Sequence, residues 1–337
     1  MAAPGKSWDL RVAILSASVA GWLLACGSGA DRSGGEPEAQ TACLTAGYTD
    51  EAAFNDVFEK ACHNCYLPQA SASFEHALDQ ARIVEIDIYD SMVLYDGSTL
   101  EPLSGNWHVR HDPWPGSESN CSAAGTFKDC LSDVLRWSEA HPDHDPITIY
   151  MDKKQEWFPG RQPAELDALV LATLSRERLF TPADLMGTFS SPGEAVTTQG
   201  WPRHRELRGK VLIVLTETNS FLSQYVAERG ARALLFVGPT NLDEEDITGV
   251  ADGFDEGTAQ WVVITNLKNE WRHLAPLGRA RKRLVRALGG ATDEEYQELL
   301  GLCVNQIAMD RFDPSDFNQS QMKGVLVTNP HYTPAAQ

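Results

Sequence analysis

The chain lacks a surplus of positive charge: 28 Lys and Arg stand against 47 Asp and Glu, a formal net charge of −19 over 337 residues. That balance argues against nucleic acid as a partner. It also removes bulk attraction to an anionic bilayer, so a lipid substrate has to be reached through a pocket, a bound cation or local apolar contacts. After residue 25 there is no apolar run long enough to span a membrane. No glycine-rich dinucleotide loop follows the first strand, and no internal repeat is visible. Cys62-x-x-Cys65 has no second CxxC to complete a zinc cage, which leaves zinc or a redox centre as the minor alternative there.

What is present begins at the N-terminus. Lys6 and Arg11 precede an apolar run from Val12 to Ala25, too short to span a bilayer comfortably and shaped like a secretory signal. Leu23-Leu24-Ala25-Cys26 resembles the lipobox of bacterial lipoproteins, with Cys26 as the lipidated new N-terminus. An ordinary signal cleaved near Ala25 or Ala30 is the alternative. We therefore expect a signal peptide over residues 1–25, a lipidated cysteine and flexible tether over 26–42, and one domain over 43–337. The expected destination is the cell envelope or its outer face, either anchored or secreted. Loss of residues 1–25 removes Lys6, Arg11 and Asp9, leaving one further negative charge. Apart from Cys26, six cysteines remain, an even count in an exported chain. Cys121 and Cys130 are close enough to close a short loop, whereas Cys43, Cys62, Cys65 and Cys303 allow three connectivities.

From about Asp56, short apolar runs alternate with helical patterns. Strand candidates are a run leading into His63, then Ile83–Ile88, Trp107–Arg110, Ile147–Met151, Val211–Thr216, Ala233–Val237, Trp261–Asn266 and Cys303–Ala308. Helical candidates between them include Ser73–Ala81, Phe127–Glu139, Glu165–Arg178, Phe221–Glu228 and Glu270–Leu288. Strand-helix alternation favours a parallel sheet, and about eight strands buried on both faces favour an α/β fold of the TIM-barrel-like (β/α)8 type. The acidic stretch Asp243-Glu244-Glu245-Asp246 reads as a solvated loop.

Chemistry in such a barrel sits at the C-terminal ends of the strands. In the strand Ile83-Val84-Glu85-Ile86-Asp87-Ile88, period two places Glu85 and Asp87 on one side and the apolar residues on the other. Two carboxylates converging on one spot repel unless a cation or proton lies between them. Around them fall His63-Asn64, His108-Val109-Arg110-His111-Asp112-Pro113, and Asp152 with Lys154 on the same face. A carboxylate and an ammonium facing one pocket suit a bound cation beside an anionic phosphate, and the plain alternative is a surface ion pair.

At these residues the chain resembles the calcium-dependent bacterial branch of the phosphatidylinositol-specific phospholipase C superfamily. His63-Asn64-Cys65-Tyr66 is similar to its HNSY segment, Ser73 to Leu78 to the following helix, and Glu85-Ile86-Asp87-Ile88-Tyr89 to its ELDVY strand. His111-Asp112-Pro113 with Thr126-Phe127-x-x-Cys130-Leu131 is similar to the second histidine and its helix, and Leu207-Arg208-Gly209-Lys210-Val211-Leu212 to its LRGKVLI segment. The resemblance spans roughly residues 56 to 330.

What the resemblance implies is a PLC-like phosphodiesterase barrel, expected as a monomer, that cleaves phosphatidylinositol-type lipids by attack of an inositol hydroxyl on phosphorus. A cyclic phosphate and diacylglycerol would result. Asn64, Glu85, Asp87 and Asp152 would ligate one Ca2+, His63 would donate to developing charge, His111 would act as general acid, and Lys154 would hold a phosphate oxygen. The general base stays open between Glu85 and Asp152. Two departures stand out: Asp152 where the family commonly has Glu, and Cys65 where it has Ser. His108 competes with His111 for the acid role, and Trp107 and Trp157 adjoin the mouth either as sugar-stacking or as packing residues. The competing functions are a glycerophosphodiester phosphodiesterase, whose first motif normally reads His-Arg-Gly, and a non-catalytic lipoprotein that binds inositol lipids.

Overall fold

Runs of Val, Ile and Leu become eight parallel barrel strands in the computed structural model of the chain. It describes residues 41–93, 97–100, 105–114, 116, 118–217, 219–240, 254–289, 292–310 and 323–332. The signal, Cys26 and the acidic stretch at 243–246 lie outside the described residues. The barrel strands are β1 (Val57–Cys62), β2 (Ile83–Tyr89), β3 (Ile147–Lys153), β4 (Val211–Thr216), β5 (Phe236–Val237), β6 (Ile264–Leu267), β7 (Leu284–Leu288) and β8 (Gln306–Met309). Neighbours pair in parallel from β6 through β7, β8, β1, β2, β3 and β4 to β5. Bridges Val237 to Val262 and Thr240 to Asn266 bring β5 back to β6, so the barrel is nearly closed. A terminal hairpin pairs Cys43–Gly47 with Lys323–Thr328, and the latter continues antiparallel onto the start of β1.

Helices start where side chains can take up free backbone N–H groups. Ser73 caps α1 (Phe74–Gln80), and Thr126 with Asp129 forms a reciprocal capping box on α2 (Phe127–Ala140). Outward strand residues Val84, Ile86 and Ile88 pack among Phe74, Leu78, Leu131 and Val134 of these helices. Inward residues Ile83, Leu212, Val214, Phe236, Ile264 and Leu284 fill the lower barrel. Burying such side chains supplies about 1.5–3 kcal/mol each, so this plug holds the strands in register.

Two expected elements differ. Trp107–Arg110 is not a barrel strand; only His108–Val109 is extended, and it runs antiparallel to the end of β2. The stretch 270–288 is not one helix. A 3-10 turn (Asn269–Leu274) and a short helix (Ala275–Ala280) end near Lys282, whose φ of 59° is left-handed, and Leu284–Leu288 then forms β7. Arg286 is buried inside the barrel at 1% exposure, so the strand's charge disguised it as solvent-facing. Disulfides join Cys43–Cys303, Cys62–Cys65 and Cys121–Cys130. No helix among the described residues is long and apolar enough to cross a membrane.

Candidate metal centre and catalytic site

Strands β2 and β3 lie side by side with Asp87 directly opposite Asp152. Both positions point into the barrel, as does Glu85 one pleat lower. Ligand oxygens of Glu85, Asp87 and Asp152 fall within 4.8 Å of one another. Glu85 and Asp87 are 5% and 2% exposed, so their mutual repulsion is only weakly screened. Asp152 Oδ1 accepts from Thr216 Oγ1 at 2.9 Å. Glu85 Oε2 accepts from Arg286, whose second nitrogen donates to Asn266 Oδ1 at 2.6 Å. Burial raises the Asp87 pKa above the usual carboxylate range. Burial acts in the same direction on Asp152, but the Lys154 ammonium outweighs it and the net shift is downward.

Lys154 follows β3 on the inward register. Its Nζ lies 2.5 Å from Asp152 Oδ2, 3.4 Å from Asp87 Oδ2 and 3.5 Å from Glu217 Oε1. Burial favours the neutral amine, yet the carboxylates prevail and hold the Lys154 pKa above its ordinary value. The ammonium therefore serves as the cluster's own cation. This is a partly buried network, not an exposed surface pair.

At the end of β1, Asn64 adopts a left-handed φ of 55°, a conformation asparagine tolerates. The Cys62–Cys65 disulfide closes around His63 and Asn64. His63 Nε2 lies 3.7 Å from Glu85 Oε1 and 3.4 Å from Asn64 Nδ2, which places Asn64 beside the acids. The other ring nitrogen of His63 pairs with Asp310, the residue following β8. Burial opposes a charge on His63, but Glu85 and Asp310 together raise its pKa. His111 comes from the insertion after β2, half exposed, with Nδ1 3.8 Å from Asp87 Oδ2. Asp87 raises the His111 pKa against a smaller effect of burial. His108 sits three residues earlier and is pushed down to about 4 by burial, with Arg110 and Arg161 adding to it, so its ring is neutral.

Just past the end of β2, Asp90 pairs with Lys153, lies 3.3 Å from Arg161, and accepts from Trp107 Nε1 at 3.1 Å. Trp107 is fully buried against Phe127, and Trp157 donates to the Phe221 carbonyl at 3.2 Å beside the Lys153 ammonium. Both tryptophans are packing residues. The Lys153 pairing fixes the strand end that carries Lys154.

Three participants escape sequence reasoning: Arg286, Asp310 and Glu217. Arg286 lies in a stretch whose sequence pattern predicts a helix. Asp310 follows the last strand on its inward register, a signal that period two would have carried had β8 been placed one residue later. Glu217 follows Thr216, which is the inward residue of β4, so regular alternation assigns Glu217 to the outside. Instead its φ of 98° breaks the alternation. Burial, and then Asp152, push its pKa up to about 7.

The donor set fits a hard cation: acids and an amide, all oxygen. Asp87 Oδ1 and Asn64 Oδ1 are buried with no hydrogen-bond partner among the described residues. Buried polar atoms of this kind are rare unless something binds them.

Comparison with known proteins agrees. The family described as Ca2+-dependent phosphoinositide phospholipase C matches residues 117–245. A calcium-dependent phosphoinositol-specific phospholipase C from a Gram-negative Pseudomonas species, solved with myo-inositol, is 32% identical with a TM-score of 0.72, over 81% of this chain and 95% of that one. A second crystal form of that enzyme is 31% identical with a TM-score of 0.73, over 85% and 99%. A Ca2+-dependent phosphatidylinositol-specific phospholipase C from Streptomyces antibioticus, at 22% identity and a TM-score of 0.66 over 81% and 99%, shares the fold. No curated protein matches the chain.

Proposed function

The chain belongs to the calcium-dependent phosphoinositide phospholipase C family, and from that premise we propose that it cleaves phosphatidylinositol-type lipids to a cyclic inositol phosphate and diacylglycerol. The observation that carries this reading is the convergence of Glu85, Asp87 and Asp152 within 4.8 Å, with two histidines alongside. Asn64, Glu85, Asp87 and Asp152 would hold one Ca2+. When bound, that ion supplies positive charge that lowers the pKa of the attacking hydroxyl and offsets charge on the phosphoryl oxygens.

The chain's own groups do the rest. An inositol hydroxyl forms the new bond to phosphorus, and its proton passes to Glu85 or Asp152. His63, held between Glu85 and Asp310, donates a hydrogen bond to the developing charge. His111 protonates the glycerol oxygen as its bond to phosphorus breaks, and Asp87 favours the protonated ring this step needs. Lys154 transfers from the carboxylates to a phosphate oxygen. Slower attack by water would open the cyclic phosphate to inositol phosphate.

The test is phosphorus NMR of the protein with phosphatidylinositol, in calcium and in chelator. Calcium-dependent appearance of cyclic inositol phosphate is the expected result. Release of glycerol phosphate from glycerophosphoinositol would overturn it in favour of a glycerophosphodiester phosphodiesterase, and saturable binding without turnover in favour of a binding protein. The apolar run at 12–25 and Cys26 support export and a lipid anchor as part of the same proposal.

A further inference from the structure

Oxygen counting at the mouth leaves a calcium ion short of donors, an argument that rests on the calcium reading above. Glu85 Oε2 is taken by Arg286, and Asp152 Oδ1 by Thr216 at 2.9 Å. What remains is Glu85 Oε1, Asp152 Oδ2, the Asp87 carboxylate and Asn64 Oδ1, of which Asp87 Oδ1 and Asn64 Oδ1 are buried and unpartnered among the described residues. Calcium takes about six to eight oxygens.

Glu217 is placed to fill the gap. The residue after an inward Thr216 should face out of the barrel, but a left-handed φ of 98° turns it. Thr240 holds that conformation from both sides: Glu217 N–H donates to Thr240 Oγ1, and Thr240 N–H to the Glu217 carbonyl, each at 3.3 Å. A non-glycine residue held there is strained, and the surrounding structure has to offset that strain. The result is a carboxylate 3.5 Å from the same Lys154 ammonium that touches Asp87 and Asp152.

We infer that Glu217 is a fifth protein ligand of the cation, joining it as Lys154 leaves for the phosphate. Glu217 then supplies an oxygen donor that the three acids of β2 and β3 do not.

Calcium titration calorimetry and terbium luminescence lifetimes in H2O and D2O on the full chain test this. Glu217→Gln is expected to raise the calcium Kd about tenfold or more and to add one terbium-bound water, with Glu217→Asp recovering part of the affinity. An unchanged Kd and an unchanged hydration number in Glu217→Gln would overturn the inference. The same substitution in a Lys154→Met background removes the simpler role of a counter-ion to Lys154. Persistence of the effect there supports direct ligation, and its disappearance overturns it. Failure of the unmodified protein to take up either ion would instead overturn the calcium reading itself.

Discussion

At the floor of the barrel the inward residues are Ile83, Leu212, Val214 and Leu284, whereas a pleat further along the same strands they are Glu85, Thr216 and Arg286, and then Asp87, Asp152 and Lys154. The lower layer is an apolar plug and the upper layer a charged network with orphaned oxygens. Each strand thus spends one half on cohesion and the other on chemistry. Stability and activity should therefore separate: substitutions at the floor should melt the fold, and substitutions at the mouth should silence it.

The largest effect should come from Asp87→Asn. We expect kcat/KM to fall about a thousandfold from lost charge and cation binding. The melting temperature should stay level or rise, because the change removes a buried charge crowded by other acids. A fall in melting temperature as large as that of a floor variant would break the comparison. Leu212→Ala is the converse. It should remove about 2–5 kcal/mol by denaturant titration while kcat/KM of the folded protein stays within about threefold.

A smaller effect sharpens the boundary between the two layers. Cys62–Cys65 is buried like the floor but encloses His63 and Asn64. Replacing both cysteines by Ser should lower kcat/KM about tenfold through misplaced site residues, with the folded fraction at 25 °C unchanged. Equal losses in both readouts would assign the bridge to stability alone.

The smallest is a pH effect below the barrel. His204 is buried near the floor, and burial, with Lys323, lowers its pKa to about 4. The unfolded ring takes a proton near pH 6.5 that the folded ring refuses, so stability should decline as pH falls from about 6.5 toward 4. His204→Gln should flatten the melting temperature across that window. An unaltered slope would place the pH response in other groups.

The barrel and much of its mouth were legible in the sequence because period-two strands report which side chains share a face. Glu85 and Asp87, and Asp152 with Lys154, follow from alternation alone. Three features did not follow, for three physical reasons. Arg286 is a charge inside the barrel, stabilised by Glu85 and Asn266 across strands far apart in sequence, so its strand was read as the end of a helix. Trp107–Arg110 carries a strand-like pattern but packs as an insertion, with Trp107 anchored to Asp90. Glu217 reaches the site through a backbone conformation that alternation does not encode.

In the proposed mechanism, acids from adjacent barrel strands seat one divalent ion. Isothermal titration of calcium into the protein, at a protein concentration well above Kd, reads this out. One ion per chain and loss of that heat in Asp87→Asn are expected. Heat that persists unchanged in Asp87→Asn, or no calcium binding by the unmodified protein, would show that these acids do not seat it.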